Sequence, residues 1–150
     1  MRLMALSVLL VCGLASGVQA ETRTVPDDFP SIQSAIDASR NGDTVLVLPG
    51  VYMESINFKG KNITVTGADP NDAGTVGYTV INADNKGSCV LFENGETSQA
   101  VLTGFTITKG SGTTCAPLST MVGGPAIMGG GVYCCNASPT AAPNASRAFR

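Results

Sequence analysis

The groups able to do chemistry are few, and most are carboxylates in turn-like settings. Asp69-Pro70-Asn71-Asp72 puts two carboxylates and an amide in one short run. Such oxygens can hold calcium from a loop, but the alternating ligand order of a known calcium loop is missing. A solvated turn is the expected state, with calcium binding as the alternative. Asp84 closes Ile81-Asn82-Ala83 and stands close to Lys86, so it reads as a corner residue beside a cation. Glu54, with Lys59 and Lys61 shortly after it, suits an exposed ion pair worth under about 1 kcal/mol. Asp27-Asp28 stand ahead of a short helical pattern, where negative charge suits the helix dipole. The chain has no His. That removes Ser-His-Asp and Cys-His pairs, His-ligated metals and an imidazole base. No residue is assigned as catalytic, cofactor-binding or metal-ligating, and no cofactor is expected.

Cys89, Cys115, Cys134 and Cys135 follow the leader described below. Cys134 and Cys135 are neighbours, and a bond between neighbours is strained. Their spacing to the other two matches no recognised metal site. Half-buried thiols on strands are expected, with a Cys89–Cys115 bridge as the alternative. Tyr52, Tyr78 and Tyr133 can stack on sugars or fill a core, and filling is the default. The Gly-rich stretch from Gly123 to Gly131 has no Gly-Lys-Ser/Thr after it and is not a phosphate loop. Asn62-Ile63-Thr64, Asn136-Ala137-Ser138 and Asn144-Ala145-Ser146 are glycosylation sequons by pattern, and carry little weight behind a bacterial-type leader.

Positions 1–20 read as a secretory signal peptide. Arg2 is the positive end, Leu3 to Leu14 the apolar stretch, and Val18-Gln19-Ala20 a small-residue cleavage site. Cleavage after Ala20 makes Glu21 the first mature residue. The apolar stretch is too short to span a bilayer. Val11 stands before Cys12 where a lipoprotein signal needs a small residue, so the product is read as secreted or periplasmic, without a membrane span. Of 9 basic residues Arg2 leaves with the leader; 11 acidic ones stay, and the net charge passes from −2 to −3. No basic cluster exists to meet nucleic acid.

The rest of the chain must position these groups. Gly is abundant (18 of 150) and only 13% of residues are charged, with 43% hydrophobic. That composition excludes a disordered chain. Residues 21–43 are a proline-punctuated lead-in and a cap helix. Ser31 is its N-cap, Ile32, Ala35 and Ile36 form one apolar stripe, and Asn41-Gly42 end it as a left-handed cap. Strand patterns then fill 44–140: Thr44 to Leu48, Tyr52 to Phe58, Asn62 to Gly67, Tyr78 to Asn82, Ser88 to Phe92, Val101-Leu102, Phe105 to Thr108, Ala126 to Met128, and Val132 to Cys134. Single Gly or Asn residues separate the runs, which suits the bends of a coil better than hairpins. Thr64-Val65-Thr66-Gly67 is echoed by Val101-Leu102-Thr103-Gly104. Such echoes, behind a helix that covers one open end, indicate a solenoid. Thr64, Thr66, Thr106 and Thr108 fit its wet outer surface. Residues 141–150 read as an irregular tail.

The stretch Val25-Pro26-Asp27-Asp28-Phe29-Pro30-Ser31-Ile32-Gln33-Ser34-Ala35-Ile36, continued by Asn41-Gly42-Asp43-Thr44-Val45-Leu46-Val47-Leu48-Pro49-Gly50-Val51-Tyr52, resembles the opening of exported right-handed parallel β-helix proteins of the pectate-lyase-like superfamily. It also resembles the start of pectin methylesterases and of copper-site maturation β-helix proteins. Leu102-Thr103-Gly104-Phe105-Thr106-Ile107-Thr108-Lys109-Gly110 and Gly129-Gly130-Gly131-Val132-Tyr133-Cys134 match common rungs of that fold. The resemblance implies an all-β right-handed parallel β-helix with a short N-terminal capping α-helix, truncated after Thr140 where such proteins continue. It also implies polysaccharide chemistry on central rungs: clustered acids for calcium with an arginine base, or an Asp pair flanked by Gln. No residue here matches those motifs. The expected function is therefore a non-catalytic scaffold meeting extracellular polysaccharide or a surface protein. A polysaccharide lyase, esterase or epimerase lacking its catalytic rungs, and a remnant without activity, are the alternatives.

Overall fold

The computed structural model describes residues 19–114 and 127–141. Two elements open the chain, β1 (Thr22–Val25) and α1 (Ile32–Ala38). A first coil follows as β2 (Thr44–Val47), β3 (Gly50–Tyr52) and β4 (Ile56–Asn57). The second coil is β5 (Thr64–Gly67), α2 (Ala73–Tyr78), β6 (Thr79–Asn82) and β7 (Val90–Phe92). The third is β8 (Val101–Thr103), β9 (Thr106–Thr108), β10 (Thr113–Thr114), β11 (Ile127–Met128) and β12 (Val132–Cys134), after which β13 (Thr140–Ala141) begins another. Corresponding strands stack in parallel. One sheet runs β1–β2–β5–β8–β13, a second β3–β6–β9, and a third β4–β7–β12. This is a parallel β-helix.

Register explains the echo in the sequence. Thr64 pairs with Val101, Val65 with Leu102 and Thr66 with Thr103. The two similar strings are one strand position in successive coils. Inward residues form columns, since side chains alternate across each strand. Val45, Val65 and Leu102 line the first sheet, Tyr52, Ile81 and Ile107 the second, and Ile56 and Val90 the third. Phe58 and Phe92 stack with ring centroids 4.3 Å apart. Coil length varies widely. Thr44 reaches its partner Thr64 in a short turn, whereas Thr64 to Val101 and Val101 to Thr140 take nearly twice as many residues. The excess goes into α2 and the antiparallel β10–β11 pair, outside the parallel ladders.

Corners need backbone that turns sharply in one residue. Lys59, Asp84, Asn85, Lys109 and Asn136 all have positive φ, near 50 to 60°. Lys59, Lys109 and Asn136 lie just after β4, β9 and β12, so the corner chemistry repeats with the coil. Beside them runs an amide ladder. Asn41 Oδ1 accepts from the Asn62 backbone, and Asn62 Oδ1 accepts from the Thr97 backbone and hydroxyl.

The first end is closed by α1. Ser31 caps it, accepting from Ser34 N–H, while the Ser34 hydroxyl accepts from Ser31 N–H. Ile32, Ala35 and Ile36 are buried against the coil. Three details depart from the sequence reading. The helix stops at Ala38 with an extended cap at Ser39, so Asn41-Gly42 form the following turn and not a left-handed cap. Asp28 does not serve the helix; its carboxylate accepts from Thr24 N–H. Glu54 serves it instead, accepting from Ile32 and Gln33 N–H at 2.9 Å each. At the other end Lys61 Nζ donates to Ile36 and Asp37 carbonyls at 2.7 Å. The first coil thus supplies an anion to the positive end of the helix and a cation to its negative end. Lys59 bridges Asp37 at 2.8 Å and holds that carboxyl below its usual range. The expected Glu54–lysine pair is absent because each charge has a helix end or helix residue to meet.

Two further expectations are revised. The run from Tyr52 to Phe58 is broken between β3 and β4, because a coil corner falls inside it. Tyr78 belongs to α2, and only Thr79 onward is strand. Strand β13 reaches Ala141, one residue into the expected tail. Residues 1–18 of the signal-like segment, Cys12 among them, Cys115, Gly123, Ala126 and residues 142–150 lie outside the described residues.

Two substitutions probe this architecture by urea unfolding. Gly67→Ala places a Cβ 2.3 Å from the Gly104 carbonyl oxygen in the adjacent coil. It is expected to lower stability by about 1–3 kcal/mol by overpacking. Glu54→Ala uncaps α1 from outside the helix, and a loss of about 1–2 kcal/mol is expected, with the far-ultraviolet spectrum retained.

Candidate functional site

Alternation in β2, β5 and β8 sends Val45, Val65 and Leu102 inward and their neighbours out. The outer surface of the first sheet therefore carries two ranks of side chains. One is Thr22, Thr44, Thr64, Val101 and Thr140; the other is Thr24, Leu46, Thr66 and Thr103. They recur at the strand spacing of about 4.8 Å. Thr64 and Thr66 are where the sequence put them. Thr106 and Thr108 likewise flank the buried Ile107, and Thr106 Oγ1 donates to the Val76 carbonyl at 2.9 Å, fastening α2 to β9.

The second sheet carries a different surface. Tyr52 points inward, its hydroxyl donating to the Leu48 carbonyl at 2.8 Å, and burial pushes its pKa up. Val51 and Met53 on either side of it must then point outward, and they are 64% and 60% exposed. Val51 pairs with Val80, and Gly50 pairs with Thr79, the residue after Tyr78. Tyr78 is 73% exposed at the end of α2. Register sets Val51 beside Val80, with Met53 just past one end of the β3–β6 ladder and Tyr78, the last residue of α2, just before the other. Clustered exposed apolar groups mark contact surfaces more often than isolated ones do. Of the three tyrosines, Tyr133 is nearly buried, Tyr52 is half-buried, and Tyr78 alone offers a ring to solvent.

The remaining groups singled out in the sequence serve the backbone. Asp69 Oδ1 accepts from Asn71 and Asp72 N–H. Asp72 N-caps α2, accepting from the Thr75 backbone at 2.7 Å, a bond that holds its carboxyl below the usual range. The expected solvated turn is present, followed by a helix that its two glycines, Gly74 and Gly77, concealed. Asp84 sits at its corner, 3.1 Å from Lys86. Asn62, head of one sequon, spends its side-chain oxygen in the amide ladder. Cys89 is a buried thiol donating to the Thr108 carbonyl at 3.2 Å, and desolvation pushes its pKa up. Cys134 is exposed, and partial desolvation, then the Glu96 charge, raise its pKa. No group of three or more His, Cys, Asp or Glu residues able to hold a metal occurs among the described residues.

Two buried carboxylates escaped notice in the sequence. Glu96, 2% exposed, accepts from Gly60 and Asn94 N–H, joining the corners of successive coils. Asp43, 3% exposed, accepts from Glu21 N–H, Arg40 N–H and the Arg23 guanidinium. Both follow a glycine, in Gly42-Asp43 and Gly95-Glu96, but nothing local distinguishes them from solvated turn residues.

Compared with known proteins, the chain matches no family model, no curated protein and no solved structure. Functional assignment therefore rests on the molecule's own surfaces.

Thiol reactivity checks the placement of the cysteines. With mass mapping of each site, Cys134 is expected to be alkylated in the native protein at mildly alkaline pH. Cys89 is expected to react only after denaturation, since it is both buried and held protonated.

Proposed function

We propose that the protein is an exported, non-catalytic scaffold that binds polysaccharide on the outer surface of the β3–β6 ladder. The exposure of Tyr78, Val51 and Met53 along the β3–β6 ladder carries this reading. A tyrosine ring offers an apolar face and a polar tip, which suits the C–H face and the hydroxyls of a pyranose. Val51 and Met53 extend that apolar surface along the strand direction, so an extended chain has more than one sugar unit to contact. The mild negative charge favours a neutral polysaccharide over a polyuronate, whose carboxylates would be repelled.

The use made of the carboxylates supports the absence of turnover in this reading. Asp43, Glu54, Asp72 and Glu96 each accept backbone N–H groups, and these bonds hold coil corners and helix ends. A general acid or base needs a proton-transfer partner in a cleft, and these groups face the backbone instead. The resemblance of residues 25–52 to the pectate-lyase-like superfamily supports export and a polysaccharide partner. The signal-like residues 1–20 support a secreted or periplasmic location.

Sedimentation with insoluble neutral glucans and with pectate tests the proposal. Tyr78→Ala is expected to weaken retention on the neutral glucan roughly five- to ten-fold, about 1–1.5 kcal/mol, with an unchanged melting temperature. Equal retention of the variant, or release of reducing ends or unsaturated uronate by the wild type, would overturn it.

A further inference from the structure

Asp43 stands at the mouth of the first coil and draws together the start of the chain. Its Oδ1 accepts from the Glu21 backbone nitrogen at 2.9 Å. Its Oδ2 accepts from Arg23 Nη1 at 2.5 Å and from Arg40 N–H at 2.8 Å. Arg23 Nη2 also bonds the Glu21 carboxylate at 2.7 Å. Arg23 occupies the inward column above Val45 and its side chain is only 11% exposed, so the pair is shielded from water. With the leader attached, Glu21 nitrogen is a neutral amide. The cluster then holds two carboxylates against one guanidinium, a net charge of −1.

The sequence places leader cleavage between Ala20 and Glu21, at that nitrogen. Hydrolysis breaks the Ala20–Glu21 C–N bond; the water oxygen goes to the Ala20 carbonyl carbon, and the nitrogen leaves as an α-ammonium. We propose that removal of the leader after Ala20 completes this cluster, the new Glu21 ammonium pairing with Asp43 and locking β1 onto the first coil. Two cations then meet two carboxylates, and a neutral hydrogen bond becomes a charge-assisted one at the same atoms. Export and the sealing of the solenoid's first end are coupled, because the mature N-terminus is itself a part of the fold. Gln19 and Ala20 are exposed, so little buried surface departs with them.

The charges around the amine set its pH dependence. They are Glu21 just before β1 and Arg23 on it, Asp43 and Arg40 in the turn before β2, and Lys61 from the corner below. An α-ammonium paired with Asp43 has a raised pKa in the folded state. Its contribution is fully present below the unfolded value of about 7.7–8.0 and is lost as pH rises through the folded value. The Asp43 carboxyl is held below its usual range by the Arg40 and Glu21 backbone bonds, then by Arg23. That contribution is present above the unfolded carboxyl value and is lost as pH falls through the folded one.

The test compares the mature chain starting at Glu21 with the same chain N-acetylated at Glu21. At pH 6 the free amine is expected to melt about 4 °C higher, and the gap should close in alkaline buffer. NMR titration should place the α-amine pKa above about 8. Asp43→Asn should abolish the gap between the free and acetylated forms. If that variant fails to fold, the wild-type amine titration decides. An amine pKa within the ordinary range, equal melting of the two forms at pH 6, or an exported protein whose N-terminus is not Glu21 would each overturn the proposal.

Discussion

A stack of parallel coils has an end at which strand edges and core side chains would meet water, and covering that end is the condition for everything after it. Here α1 lies across the first coil and buries Ile32, Ala35 and Ile36 on the column of core residues. A helix of two turns has little intrinsic stability, because nucleation is costly and most of its N–H and C=O groups are terminal. The first coil supplies what the helix lacks. Glu54 takes two N–H groups at one end, and Lys61 takes two carbonyls at the other. Cap and coil are therefore mutually dependent: the helix covers the core that positions Glu54 and Lys61, and those two side chains hold the helix.

Once the end is covered, in-register pairing propagates the rest. Each new strand finds its place by hydrogen bonding to the strand one coil earlier, so connections between strands are free to differ. The second coil accommodates α2 and the third the β10–β11 pair without disturbing the columns of Val45, Val65 and Leu102. The tolerance has a limit where backbones touch. Gly67 and Gly104 stack so closely that neither coil has room for a Cβ at Gly67. Variation is thus directed outward, onto the surfaces where α2 presents Tyr78.

The fold was legible in the sequence because its signals are local and repeat. Thr64-Val65-Thr66-Gly67 and Val101-Leu102-Thr103-Gly104 have the same alternation and the same closing glycine, and the structure pairs them directly. Ser31 with the Ile32, Ala35, Ile36 stripe gave the cap helix for the same reason. What escaped was non-local or masked by composition. Glu54 was read with the lysines nearest it in sequence, whereas its partners are N–H groups of residues over twenty positions earlier. The α2 helix hid behind Gly74 and Gly77, and it forms because Asp72 caps it and Thr106 anchors it from another coil. Val51 and Met53 as surface residues were within reach, since an inward Tyr52 forces its neighbours out.

The same residue types can serve catalysis or architecture, and the geometry around them separates the two uses. A carboxylate that accepts backbone N–H groups is pointed at the main chain. Bringing a proton onto its accepting oxygens would compete with the bonds that hold a corner. Asp43, Asp72 and Glu96 are in this state, and so is Glu54 at the helix end. A coil has many corners and few charged residues to serve them, so a short stretch of solenoid can use most of its acids in this way. Charged residues then stay mostly at corners and helix ends, and the outer faces of two sheets carry other groups: ranks of mostly threonine on one, and apolar side chains with one tyrosine near the next. In the proposed function such a surface would recognise a partner by shape and by stacking, over a length set by the number of coils. That matches an extended neutral polymer better than a small molecule, which would need a cavity to surround it.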